Sequence, residues 1–171
     1  MQLIPSWAPN VHPMIVHFPI VLVILAVAAD LVHLVRPRMK GLGAAATSLY
    51  LLGALSAVAA YLSGRQAAGA VFTPGMAHGL VGDHGSWAFA TTVCLILVAV
   101  LRLGGRLTRL GDTRAARLLF VALGLAIAVL VQQTAERGAR LVYEHGVGVI
   151  PGPLPSDLGG LDPPAADESP R

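Results

Sequence analysis

The sequence predicts an all-α integral membrane protein, a four-helix bundle with both termini on the extracytoplasmic side. Three observations carry this. The chain of 171 residues is 55% hydrophobic and only 12% charged, with a mean hydropathy of +0.70, too apolar for an ordinary soluble domain of that length. Four stretches, at 14–35, 43–63, 85–103 and 115–134, each reach the roughly 20 apolar residues that a spanning helix needs. Basic residues gather in two connections on one side of a four-pass chain, Arg36, Arg38 and Lys40 in one and Arg102, Arg106, Arg109, Arg114 and Arg117 in the other. The positive-inside bias places that side in the cytoplasm.

Taken in order, residues 1–12 read as an outer segment. MQLIPSWAPN has no basic n-region and no small-residue cleavage site follows it, so the first apolar stretch is expected to stay in the protein. The first helix is expected to open at Pro13, since proline suits the first helical position, with Pro19 tilting its entry. Trp7 and Trp87 suit the outer membrane interface. The second segment is built of small residues, which let helix backbones approach closely in lipid. The glycine- and proline-punctuated stretch RQAAGAVFTPGMAHGLVGDHG reads as an outer loop or short re-entrant turn, with Asp83 capping the third helix. The fourth segment turns polar after Val131. Glu136, Arg140 and Glu144 at four-residue steps favour continued helix, whereas a break at Gly138 would lay LVYEHGVGV across the bundle end, and both paths stay open. The transmembrane domain is placed at 13–150. Residues 151–171, rich in proline, glycine and acid, read as a disordered outer tail. No internal repeat is visible, although the helix pairs admit a distant relation.

The formal charge of +3 and pI near 9.6 are not patterned for nucleic acid. No nucleophile elbow, phosphate loop or nucleotide fingerprint is present, which argues against a hydrolase, a kinase or a Rossmann enzyme. Cys94 is the single cysteine and lies mid-helix, so intrachain disulfides, thiolate clusters and covalent c-type haem attachment are excluded. It reads as a packing residue.

What remains is histidine. Five of the six, His12, His17, His78, His84 and His145, fall on the outer side of the four-pass topology. Imidazole is costly in hydrocarbon and titrates near neutrality, so histidine in a membrane marks a candidate site. His17 and His84, each near a helix entrance, are the expected axial ligands of a b-type haem. His12 lies five residues before His17, about 140° around a regular helix, and so is assigned with His145 to a second pair or to support. Tyr143, Arg137 and Arg140 are candidates for haem propionates, and Gln132, Gln133 and Thr134 for orienting ligand imidazoles or for joining helices. The competing assignment is zinc or copper bound by His12, His17, His84 and His145, with Asp83, Glu144, Met14 and Met76 available to complete the shell. His78, in a glycine-rich stretch, reads as structural. On the inner side, Asp30 and His33 sit one turn apart and are expected to hydrogen-bond each other, a proton-coupled quinone site being the less favoured reading.

The opening His12-Pro13-Met14-Ile15-Val16-His17-Phe18-Pro19, together with His84 and the ending Tyr143-Glu144-His145-Gly146-Val147-Gly148, resembles a family of small predicted membrane proteins classed as domain of unknown function 2231. The likeness covers most of residues 11–149. It implies a four-helix membrane protein, and related segments joined to c-type cytochrome modules suggest electron transfer by association. The leading expectation is therefore a b-type membrane cytochrome or cytochrome-like subunit in the inner (plasma) membrane. Haem would sit near the extracytoplasmic face, and the partners would be the lipid bilayer and other subunits of a membrane or periplasmic redox complex. A zinc- or copper-binding membrane protein and a non-enzymatic assembly subunit are the alternatives.

Overall fold

The computed structural model describes residues 10–71, 73–108 and 113–149. Trp7, Arg109 and the 151–171 tail, each given a role above, lie outside the described residues, as does the side chain of Lys40. Among the described residues all regular structure is helical: α1 (His12–Ile15), α2 (His17–Val35), α3 (Lys40–Ala70), a 3₁₀ turn (Gly75–Ala77), α4 (His78–Leu107) and α5 (Arg114–Tyr143). Four runs are long and apolar enough to cross a membrane, His12–Val35, Gly41–Ala70, Gly75–Leu107 and Arg114–Tyr143, of 24, 30, 33 and 30 residues. A 30-residue helix is about 45 Å long at 1.5 Å per residue, against a hydrocarbon thickness of about 30 Å. The helices therefore carry several polar turns beyond the lipid core.

Proline and glycine chemistry set the boundaries. Pro13 lies in the first turn of α1, and Pro19 has no N–H to return to the Ile15 carbonyl, so the helical hydrogen-bond ladder is interrupted at Val16, whose backbone stays right-handed helical (φ −60°, ψ −23°), and resumes as α2. Pro37 bars helical backbone at Arg36 (φ −125°, ψ 63°), so α2 stops there. The Thr113 hydroxyl caps α5 by accepting from the Ala116 N–H at 3.1 Å. Hydroxyls inside the spans return to their own helices: Thr47 donates to the Gly43 carbonyl, Ser56 to Gly53 and Thr92 to Ala88, which satisfies them where no water is at hand.

Two expectations about the connections fail. The segment after Ser63, expected as an outer loop or short re-entrant turn, is largely helical: α3 continues to Ala70, and only residues 71–74 separate it from the 3₁₀ turn and α4. Asp83 accordingly lies within α4 rather than at its cap. The choice left open at Gly138 resolves as continuous helix, since α5 runs unbroken to Tyr143.

The four long helices form a closed ring in which α2 and α4 each pack on α3 and α5. The core between them holds Val23, Val27, Tyr50, Ala54, Leu95, Val98 and Ile127, with Cys94 packed against it as a small apolar residue. The outer faces are apolar too: Ile24, Leu55, Leu97 and Val129 are exposed, as a lipid solvent allows.

The burial pattern repeats, which the sequence alone did not disclose. Val23, Ala26, Val27 and Asp30 are buried on α2, and Leu95, Val98, Ala99 and Arg102 on α4, each 72 positions later. Ala46, Thr47 and Tyr50 are buried on α3, and Phe120, Val121 and Gly124 on α5, each 74 positions later. The two helix hairpins thus present equivalent faces to a common axis, and the residues on that axis define the two ends of the bundle.

Candidate functional site

At one end, His12 and His84 occupy equivalent positions of the two hairpins and lie near enough for a charge on one to be felt by the other. Both are half-buried. Each is seated on a glycine of the next helix: a Cβ on Gly64 of α3 would meet the His12 ring at 2.9 Å, and one on Gly138 of α5 would meet the His84 ring at 3.1 Å. Each is also tied to that helix through Nδ1. His84 Nδ1 lies 3.1 Å from the Thr134 carbonyl, which only accepts, so the ring donates from Nδ1. His12 Nδ1 lies 3.2 Å from Ser63 Oγ, whose own proton goes to the Ala60 carbonyl, so Nδ1 is again the donor. These hydrogen bonds assign the tautomer and leave both Nε2 lone pairs without a hydrogen-bond partner among the described residues.

The other histidines do not join them. His17 is exposed on the outer surface of α2, because the five-residue step from His12 carries it around the helix. The His17 and His84 expected as a pair are therefore not brought together, and it is His12 that lies near His84. His78 is exposed, with Nδ1 3.3 Å from the Gly75 carbonyl, a local contact. His145 lies 4.0 Å from Glu144, beyond α5. Among the described residues no three His, Cys, Asp or Glu side chains come together as a metal-binding group, so the four-histidine shell is not assembled.

Of the residues assigned to propionates, the two arginines have protein partners and the tyrosine is exposed. Arg137 donates to Asp83 at 2.8 Å and to the Gln133 carbonyl and side chain at 2.9 Å each, with its guanidinium 4.1 Å from the centre of the Trp87 ring. Arg140 lies 2.7 Å from Glu136 and 4.0 Å from Glu144, and Tyr143 is 88% exposed. Thr134 both orients and joins, its carbonyl accepting from His84 while its hydroxyl lies 2.8 Å from that of Thr91 on α4. Because the Asp83–Arg137 pair is half open to water, Asp83→Asn should lower unfolding free energy by no more than about 1 kcal/mol, measured by unfolding in mixed detergent.

At the opposite end all four helices meet on a buried ion pair. Arg102 of α4 grips Asp30 of α2 with a hydrogen bond from Nη1 and a second close contact from Nη2, each 2.8 Å, and both side chains are 4% exposed. The guanidinium rests between Tyr50 of α3 (4.9 Å) and Phe120 of α5 (4.5 Å). The Tyr50 hydroxyl lies near Asp30 without regular hydrogen-bond geometry, pressed against Gly124, where a Cβ would overlap it. Asp30 therefore does not form the expected bond to His33, whose ring instead packs over Gly43. Arg102, grouped by the sequence with the loop cations, instead lies within α4. A signal was present in the sequence: Asp30 and Arg102 are opposite charges 18 residues beyond His12 and His84 respectively.

The sequence model of a family described as "Predicted membrane protein (DUF2231)" matches residues 8–151. The chain belongs to this family. No curated protein and no solved structure matches it. In this DUF2231 protein the opening motif separates into an inward His12, an outward His17 and Phe18, and the helix-interrupting Pro19. The closing motif is a chain reversal: Gly146 (φ 62°) and Gly148 (φ 76°) hold left-handed backbone, the Val147 N–H returns to the Leu141 carbonyl, and Gly148 reaches Val71 beyond α3. Gly146→Ala should cost about 1–2 kcal/mol locally, seen as faster amide hydrogen exchange at 144–149 with little change in global unfolding.

Proposed function

We propose that the chain is a membrane electron-transfer subunit that binds one b-type haem between His12 and His84. The observation that carries this reading is the pair of imidazoles at equivalent positions of the two hairpins, each fixed through Nδ1–H and each with Nε2 left without a hydrogen-bond partner among the described residues. Ligation through one ring nitrogen with the other donating to a protein oxygen is the usual arrangement of histidine ligands, and haem sites in helical bundles are built from side chains on facing helices. When bound, the haem would supply one-electron redox chemistry. The chain's own contribution is to set tautomer, ring orientation and spacing, with Gly64 and Gly138 providing the room. A protein-only zinc site needs three or four donors, so a pair favours haem. The concentration of arginine at the other end supports an extracytoplasmic position for the histidines, hence exchange with a partner on that side.

The test is a reduced-minus-oxidised spectrum of protein purified from cells with ample haem. An α-band and Soret peak are expected, lost on His12→Ala or His84→Ala and retained on His17→Ala. Absence of both bands from the folded wild-type protein overturns the reading, and so does their survival in the double variant.

A further inference from the structure

The arginine end holds a second feature. Beside the Asp30–Arg102 pair is a cavity of about 30 Å³, lined by His33, Arg102, Arg106, Arg117 and Phe120 among others. Three arginines line it against the single carboxylate of Asp30, both of whose oxygens are already held by Arg102, while Arg117 also donates from Nε to the Thr113 carbonyl at 3.5 Å. Two buried nitrogens, Arg102 Nε and His33 Nδ1, have no hydrogen-bond partner among the described residues. A buried donor without an acceptor is destabilising and calls for a water or an anion, and here the surplus charge is positive.

Immediately outside, with Phe120 as the common wall, runs an apolar groove of about 480 Å³ between α4 and α5, bordered by Val100, Leu101, Gly104, Ala116 and Leu119. The space in front of Gly104 is open, with nothing within 4 Å of where a Cβ would stand. Val100 lies about 6 Å deeper along α4 than Gly104, so the groove leads from the level of Arg106 toward the middle of the bundle.

We propose that cavity and groove form one site for an anionic phospholipid. The cavity has room for about one water, so a single phosphate oxygen enters it to accept from Arg102 Nε while Arg106 and Arg117 hold the others. The acyl chain follows the groove. Basic pockets between transmembrane helices at the positively charged side are suited to such headgroups, and the groove explains why the ligand is a lipid rather than a free ion. The site lies at the opposite end from His12 and His84 and is independent of haem.

The test uses full-length protein in dodecyl maltoside, titrated with phosphatidylglycerol, phosphatidylcholine or inorganic phosphate and read by native mass spectrometry and thermal unfolding. One phosphatidylglycerol per chain is expected, with an unfolding midpoint raised by about 5 °C and an affinity on the order of tenfold above phosphatidylcholine. Arg106→Gln with Arg117→Gln should remove that tenfold preference. Neither side chain is in the buried ion pair, and unchanged helical circular dichroism checks folding. Gly104→Leu, which fills the groove, should weaken phosphatidylglycerol with the arginines intact. Equal binding of phosphatidylcholine, an equal stabilisation by inorganic phosphate, or a second copy of the chain that excludes lipid would each overturn the assignment.

Discussion

Arg102→Ala is expected to be the most damaging single substitution outside the histidine pair, lowering unfolding free energy by about 3–5 kcal/mol. Truncation leaves the Asp30 carboxylate buried among α2, α3 and α5 without its hydrogen bond and close ion contact to the guanidinium, and it removes the cation lying against the Tyr50 and Phe120 rings. Arg102→Lys should recover only part of this, since a compact ammonium cannot reproduce the planar fork or the guanidinium's contacts with both rings. Unfolding in mixed detergent, with detergent-extractable yield as a second readout, measures both. A cost below about 1 kcal/mol for Arg102→Ala would place the pair among weak surface contacts, contrary to its burial.

The equivalence of the two hairpins sharpens that expectation. Asp30 and Arg102 occupy the same register on α2 and α4, so the exchange Asp30→Arg with Arg102→Asp keeps opposite charges across the axis. It should be more stable than either single variant, with a favourable coupling energy in the double-mutant cycle. Recovery stays incomplete because the aromatic groups are not exchanged: the position equivalent to Phe120 is Ala46, and the one equivalent to Tyr50 is Gly124.

Hydropathy made the four spans legible, because apolar length is what a bilayer requires of them. It understated their extent. RQAAGA after Ser63, HGLVGD before His84 and QQTAERGARLVY after Val131 are polar enough to resemble loops, yet all lie in helix, since a helix satisfies its own backbone once it leaves the lipid. The histidine end was half legible. The 140° step between His12 and His17 showed that they cannot share a centre, but not which of them turns inward; that follows from Ser63 and Gly64 on α3, 51 and 52 positions away. The ion pair was hidden for the same reason. Asp30 and Arg102 meet across the ring, and hydropathy along one helix carries no information about a partner 72 residues on.

Gly124→Ala should cost about 1–3 kcal/mol, the usual range for overpacking, although alanine is the better helix former by about 1 kcal/mol. The added methyl would overlap the Tyr50 hydroxyl and press on Val27 at 3.2 Å. Tyr50 is fully buried and wedged beneath the Arg102 guanidinium, so it cannot swing away without disturbing the ion pair. Tyr50→Phe removes the clashing oxygen while keeping the ring under Arg102, and Gly124→Ala with Tyr50→Phe should regain most of the loss. In the same cycle Tyr50→Phe alone should be close to neutral, because the hydroxyl forms no regular hydrogen bond among the described residues and its deletion leaves the Asp30–Arg102 contacts in place. A large cost for Tyr50→Phe alone would show instead that the hydroxyl holds Asp30, making the tyrosine a third member of the ion pair rather than a platform for it.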